Sequence, residues 1–311
     1  MKQVRPKKNL GQHFLTDLSI AKRIADTVDE PYPELPVLEV GPGMGVMTQY
    51  LTEKPRPFKV VEIDRESVAY LSERFGWNVE CFSRNVECGM RNENRPAVDS
   101  SIDSATDHSQ QSNLIPHSTF HIPQNPPQII MGDFLRMDLH EVFEGQQFVL
   151  TGNYPYDISS QIFFKMLDNK DLIPCCTGMI QHEVAVRMAS QPGNKQYGIL
   201  SVLIQAWYNV EYLFTVEPSV FNPPPKVQSA VIRMTRNAVT DLGCDEQLFR
   251  RVVKTTFNQR RKMLRVSLRQ IFDVNHPAPE GFFDNPIMTR RPEQLSIPEF
   301  VELTNQVAAA F

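Results

Sequence analysis

The stretch Glu39-Val40-Gly41-Pro42-Gly43-Met44-Gly45-Val46-Met47-Thr48 decides the reading of this chain. It follows a short apolar run, Val37 to Val40, and precedes a helical pattern that opens at Thr48. Three glycines between a strand and a helix let the backbone turn sharply and let a ligand lie against it. Their spacing is G-x-G-x-G, not the G-x-G-x-x-G of a nicotinamide-dinucleotide fingerprint. On these ten residues alone, a tight turn without a ligand stays open.

Working outward, Phe58 to Ile63 is a second strand ending in Glu62 and Asp64. Ile129 to Met131 is a third, leading into Gly132-Asp133, and Phe148 to Leu150 a fourth, ending in Asn153-Tyr154-Pro155-Tyr156. Helical spacing recurs at 66–74, 159–167 and 183–190. Upstream, Asp17 is placed to cap a helix carrying Ile20, Ile24 and Val28. This alternation predicts an open, mostly parallel α/β sheet, a Rossmann-like fold. Residues 177–180, 199–210 and 212–216 read as further strands, and 227–234 as the closing strand of the sheet. From about Asp245 the pattern is only helical. The expected division is an α/β domain over 1–238 and a small all-α domain over 239–311.

The rhythm is interrupted at about 78–128, where seven Ser, six Asn, four Gln and five Pro stand among few large apolar residues. Such a stretch buries too little apolar surface to offset ordering entropy, and reads as a disordered insert. His108, His117 and His121 lie in it, but not at zinc-ligand spacing, so no metal is expected.

At 311 residues the chain has room for two domains. No apolar run reaches the roughly 18–20 residues of a membrane span, and the basic N-terminus lacks a signal-peptide core. The five cysteines are odd in number and irregularly spaced, and the adjacent pair Cys175–Cys176 suits buried thiols better than a bridge. A cytoplasmic protein is expected, with no membrane partner. The net charge of −4 conceals segregation: the first 23 residues carry +5, residues 247–270 carry +8, and the insert −3. An RNA partner is therefore not excluded.

Three strand ends suggest a nucleoside pocket. Over the glycine turn, Glu62 can accept both ribose hydroxyls. Asp133 can accept from an adenine amino group, with Phe134 beside the base. The fourth strand end points to the reaction. An exocyclic amine is a poor nucleophile, because its lone pair is delocalised into the ring. The Asn153 amide oxygen and a backbone carbonyl before or at Pro155 can accept its two N–H bonds and localise that lone pair toward a methyl donor. Pro155 fixes the loop, and Tyr156 offers a stacking face.

These motifs, together with NLGQHFL (Asn9 to Leu15), FNPPPKVQSAV (Phe221 to Val231) and FNQRRKMLR (Phe257 to Arg265), occur in one order. The chain outside the insert resembles the dimethyladenosine transferase (KsgA) family of rRNA adenine N6-methyltransferases. The resemblance implies S-adenosyl-L-methionine as donor. It implies as substrate two adjacent adenines near the 3′ end of 16S rRNA within the immature 30S subunit, each receiving two methyl groups. His13 and Leu15 would line the cofactor pocket, Gly41 would contact the methionine part with Gly43 also at the cofactor, Glu62 would hold the ribose and Asp133 the adenine amino group. Asn153 would bridge cofactor and target amine. Tyr156 would stack on the target base, with Phe221 on its other face. Tyr154 stands where the family's tetrapeptide commonly has Leu, and His13 where many members have Asn. A single asymmetric RNA site needs no symmetry, so a monomer is expected.

Between 247 and 270 there are eight cations and no acid. Arg250, Arg251, Lys254, Arg260, Arg261, Lys262 and Arg265 are candidate phosphate contacts. A helix break at Asn258-Gln259 stays open. Two rivals remain on sequence: an enzyme of the same fold acting on 23S rRNA, and a subunit-assembly factor whose main activity is binding.

Overall fold

The computed structural model describes residues 7, 12–81 and 128–311. In chain order its elements are β1 (Phe14–Leu15), α1 (Leu18–Asp26), β2 (Val37–Val40), α2 (Thr48–Leu51), β3 (Phe58–Glu62), α3 (Arg65–Phe75) and β4 (Val79–Cys81). They continue with β5 (Gln128–Met131), β6 (Val149–Gly152), α4 (Ser159–Asp168), β7 (Cys175–Gln181), α5 (His182–Ala189), α6 (Ile199–Gln205) and β8 (Tyr208–Val216). Then follow β9 (Phe221–Asn222), β10 (Ser229–Arg236), α7 (Glu246–Asn258), α8 (Leu264–Ser267) and α9 (Ile297–Ala308).

One sheet runs β4-β5-β3-β2-β6-β7-β10-β8. The six strands from β4 to β7 are parallel, and β10 lies antiparallel between β7 and β8. From β2 the chain steps one way to β3, and later the other way through β6 and β7. The crevice outside the carboxyl ends at such a switch is where open α/β sheets bind ligands. A separate two-stranded ladder pairs β1 with β9, Leu15 opposite Phe221, and folds the N-terminal arm across that crevice.

The inner strands β3, β2, β6 and β7 are buried on both faces, as a doubly covered sheet requires. On one face Ala21, Ile24, Leu51, Val68 and Leu71 pack on Val37, Val60 and Val149. On the other, Ile162, Phe163 and Leu203 pack on Leu38, Leu150 and Ile232. That second core runs on through Phe249, Val252, Phe257, Phe300 and Leu303, so the C-terminal helices share it. Asp17 caps α1 as its position suggests, its Oδ1 accepting from the backbone N–H of Ser19 (2.9 Å) and Ile20 (3.2 Å). Such a cap contributes about 1 kcal/mol.

Three expectations need correction. Residues 199–205 are a helix, not strand: five of the seven are buried, and a short apolar run buried almost all round carries no period to separate the two. β10 does not close the sheet, because β8 occupies the edge beyond it. The insert expected at 78–128 is strand at both ends, in β4 and at Gln128, and its remainder lies outside the described residues. Cys175 and Cys176 are free and buried as expected. Cys81, by contrast, is disulfide-bonded, which the irregular cysteine spacing did not suggest. No helix among the described residues is long and apolar enough to cross a membrane.

Candidate active site

The glycine turn leaves β2 beside β3, with the Gly41 N–H donating to the Val61 carbonyl at 2.9 Å. Gly41 has φ +68°, and no atom lies within 4 Å of where a Cβ would stand. The position is open space beside bare backbone, a cradle that a side chain would fill. Gly43 donates its N–H to Oε2 of Glu62 at 3.1 Å. Oε1 of Glu62 accepts from Ile63 and Asp64, both at 2.9 Å. Burial pushes the Glu62 carboxyl above its ordinary value, and the three backbone N–H groups work against that shift. Oε2 carries one donor and keeps capacity for a hydroxyl.

At the end of β5, Asp133 accepts the Leu135 N–H at 3.0 Å through Oδ1, and its Oδ2 lies 3.4 Å from Arg136 Nε. At the end of β6, Asn153 continues toward β7 through a bridge to Met179. Its Nδ2 donates to the His13 carbonyl at 3.3 Å, which orients the amide. The Pro155 carbonyl accepts the Ile158 N–H at 3.3 Å and closes a turn, while among the described residues no donor reaches the carbonyl of Tyr154. Of the two carbonyls left open by sequence, Tyr154's is therefore the freer acceptor.

The N-terminal arm closes the site. His13 donates from Nδ1 to the Pro223 carbonyl at 2.8 Å, and its ring stacks on Tyr156 at 5.7 Å and 25°. Lys7 pins the arm to the next strand end through Asp64 (2.6 Å) and Glu66 (3.3 Å). Tyr156 Oη meets Ser229 Oγ at 2.5 Å.

His13, Leu15, Gly41, Gly43, Glu62, Asp133, Asn153, Pro155 and Tyr156 all line one cavity. Phe221 does not. It is 4% exposed and packs in the core beneath the arm, opposite Leu15 in the β1–β9 ladder. Sequence reasoning passed over Ser229 and Glu39. Glu39 is fully buried on the cavity side of β2, with Oε2 accepting from Thr48 Oγ1 at 2.7 Å. Burial pushes its carboxyl up to about 8. A charged residue inside an otherwise apolar strand was the available signal.

The basic residues divide into two groups. α7 ends at Asn258, so Arg250 and Lys254 do not share a continuous helix with Arg261 and Arg265. Arg250 pairs with Asp168 at 2.5 Å, and Arg260 reaches the Lys195 carbonyl and lies 3.8 Å from Glu293. Lys254 sits over the Phe164 ring, and Arg251 over Phe311. Arg261, Lys262 and Arg265 are exposed and have no acid partner among the described residues. Met263 and Val266 are exposed between them.

The donor set fits an adenosyl sulfonium ligand: an open glycine cradle, an acceptor at the ribose position and an acceptor at the base position, side by side at three strand ends. Comparison with known proteins identifies the family. A family model described as ribosomal RNA adenine dimethylase matches residues 3–86 and 109–283. The ribosomal RNA small subunit methyltransferase A of Phocaeicola vulgatus is 58% identical over 99% of this chain and 91% of its own length. That of Bacteroides thetaiotaomicron is 57% identical over 100% and 97%. Among solved structures, a dimethyladenosine transferase from Plasmodium falciparum shares the fold with TM-score 0.69 at 18% identity, covering 96% of this chain and 98% of its own. The 23S rRNA methyltransferase ErmE does so with TM-score 0.56 at 23% identity, covering 95% and 99%.

Proposed function

Because the chain belongs to the ribosomal RNA adenine dimethylase family, we propose a residue-level account of how it methylates adenine. The protein is a small-subunit rRNA adenine dimethyltransferase. The reading extended here is that it uses S-adenosyl-L-methionine to dimethylate two adjacent adenines near the 3′ end of 16S rRNA, on the immature 30S subunit. It acts there as a cytoplasmic monomer.

One observation carries the site assignment: four adjacent strand ends deliver Gly41 and Gly43, Glu62, Asp133 and Asn153 into one cavity. Gly41 and Gly43 would hold the donor's backbone-facing side, Glu62 its ribose and Asp133 its adenine, with His13 and Leu15 closing over it from the arm. When bound, the donor supplies an electrophilic methyl group on a positively charged sulfur.

The chain's own residues prepare the nucleophile. The target adenine leaves its stack and lies on Tyr156, whose ring is fixed by Ser229. The Asn153 amide oxygen and the Tyr154 carbonyl accept the two N–H bonds of the amine. They draw its lone pair out of conjugation and aim it into the cavity. No strong base is required, since the proton is lost only after the nitrogen becomes cationic. Placement and preorganised acceptors lower the barrier. Pro155 holds the turn. Phe221 acts at one remove, by pairing β9 with the arm that carries His13.

Residues 239–311 are read as the rRNA-binding domain. Arg261, Lys262 and Arg265 present free cations to phosphates, with Arg250, Arg251, Lys254 and Arg260 along the flank. Mass spectrometry of rRNA fragments tests the reading, after unmethylated small subunits have been incubated with protein and donor. Dimethyladenosine at the two adjacent adenines is expected, and small subunits left unmethylated while large subunits treated in parallel are methylated would overturn it.

A further inference from the structure

We propose that Gln181 reads the target adenine, its side-chain amide donating to a ring nitrogen beside the amine, N1 or N7. The proposal deepens the function given above and rests on it.

The strand order leads to this residue. Along the sheet the carboxyl ends run β5, β3, β2, β6 and β7. The first four carry Asp133, Glu62, the glycine turn and Asn153, which follow the donor from its base to its methyl group and reach the target amine. The next strand, β7, ends at Gln181. In an in-line transfer the methyl donor lies on one side of the nitrogen, and the target ring extends away from the donor cavity. Gln181 is not among the residues lining that cavity, and it stands one strand beyond Asn153.

The register fixes the direction of its side chain. Gln181 lies opposite Ser229 in the antiparallel β7–β10 ladder. Side chains directly opposite in such a ladder share a face, with Cβ atoms about 5 Å apart. On that face Ser229 Oγ meets Tyr156 Oη at 2.5 Å. The Gln181 amide therefore leaves the sheet beside the hydroxyl edge of the ring on which the base lies. Its backbone is held on both flanks, by the ladder and by the next residue, His182, whose N–H donates to the Gln228 carbonyl at 3.0 Å.

The amide itself is uncommitted. Gln181 is half-buried and occupies the N-cap position of α5, yet its side chain makes no capping bond. Among the described residues it has no hydrogen-bond partner. Gln228, at the same corner, is engaged: its Nε2 donates to both carboxylate oxygens of Glu217, at 2.9 and 3.1 Å. Gln181 thus keeps two N–H donors and a carbonyl for a ligand. Asn153 and the Tyr154 carbonyl take both hydrogens of the target amine. What adenine still offers beside that amine are two acceptors, N1 and N7. A site built to donate to such an atom rejects a base that lacks it.

The experiment measures kcat/KM on small subunits reconstituted with 16S rRNA whose ligated 3′ segment carries adenine, 1-deazaadenine or 7-deazaadenine at a target position. Wild type is compared with Gln181→Met, which keeps the length of the side chain and removes the donors, and with Gln181→Glu, which cannot donate when ionised. Affinity for S-adenosylhomocysteine, by calorimetry, reports that each variant is folded and stays within about twofold of wild type. On adenine both variants lose about fivefold to tenfold in kcat/KM. One of the two deaza bases costs wild type a similar factor and costs the variants less than about twofold further; which base it is distinguishes N1 from N7. Wild type indifferent to both deaza bases overturns the proposal, whatever the variants do. So do variants as active as wild type on adenine, a deaza penalty equal in wild type and variants, or a matching loss of donor affinity. If wild type leaves adenine itself unmethylated, it is the function that fails.

Discussion

The hydroxyls of Tyr156 and Ser229 meet at 2.5 Å, and Ser229 is fully buried on β10. This bond joins Tyr156, the proposed stacking residue, to β10, which runs antiparallel to both its neighbours β7 and β8, so the ring's tilt is set by the sheet and not by the loop that carries it. Ser229→Ala leaves Oη without that partner. A buried hydrogen bond of this kind contributes about 1 kcal/mol. The expected result is a KM for small subunits raised about fivefold and kcat lowered, with donor affinity unchanged. Steady-state kinetics against calorimetry checks it, and loss of donor affinity instead would assign Ser229 to the cofactor side.

Glu62 bonds three backbone N–H groups. Glu62→Gln keeps its volume but turns an amide N–H₂ toward either a backbone donor or the ribose. Donor affinity should fall about tenfold or more, equivalent to about 1.4 kcal/mol. Titration calorimetry with S-adenosylhomocysteine measures this. An unchanged affinity would remove Glu62 from the cofactor site.

Much of this site was legible in the sequence because its parts stand at strand ends. Each strand is a short apolar run, and each is followed at once by Gly, Glu, Asp or Asn, so the punctuation and the chemistry coincide. What escaped detection depends on contacts across the sheet. Ser229 reads as an ordinary strand residue until β10 is seen beside β7. Phe221 looks like a free aromatic until its two-residue pairing with the arm is known, since a pair that short leaves no pattern. Residues 199–205 misled for a simpler reason: a helix buried on nearly all sides has no polar face to reveal its turn.

Glu39 gives the fold a pH signature. Its folded carboxyl, raised to about 8 by burial, keeps a proton that the unfolded chain releases near the ordinary value of 4.5. In that window the folded state binds more protons, so stability falls as pH rises from about 4.5 to about 8 and levels off above. Melting temperatures across this range should decline more steeply in wild type than in Glu39→Gln. Parallel slopes would contradict the assignment.

The unpaired cations of the C-terminal region should dominate RNA affinity. Replacing Arg261, Lys262 and Arg265 together by Ala is expected to reduce the log–log salt slope of small-subunit binding by about 2 to 3. Arg250→Ala should change the slope little, because its guanidinium already serves Asp168. Filter binding across a salt series distinguishes them. Equal slopes for the triple variant and wild type would place the RNA contact elsewhere.

The central claim is that Asn153 polarises the target amine. Its most direct test is quantitative mass spectrometry of 16S rRNA from unmethylated small subunits treated with wild type or Asn153→Ala, at matched S-adenosylhomocysteine affinity. The account predicts complete dimethylation of two adjacent adenines by wild type. Asn153→Ala should be slower by about a hundredfold or more with its donor affinity retained. Dimethylation by Asn153→Ala at the wild-type rate would contradict it.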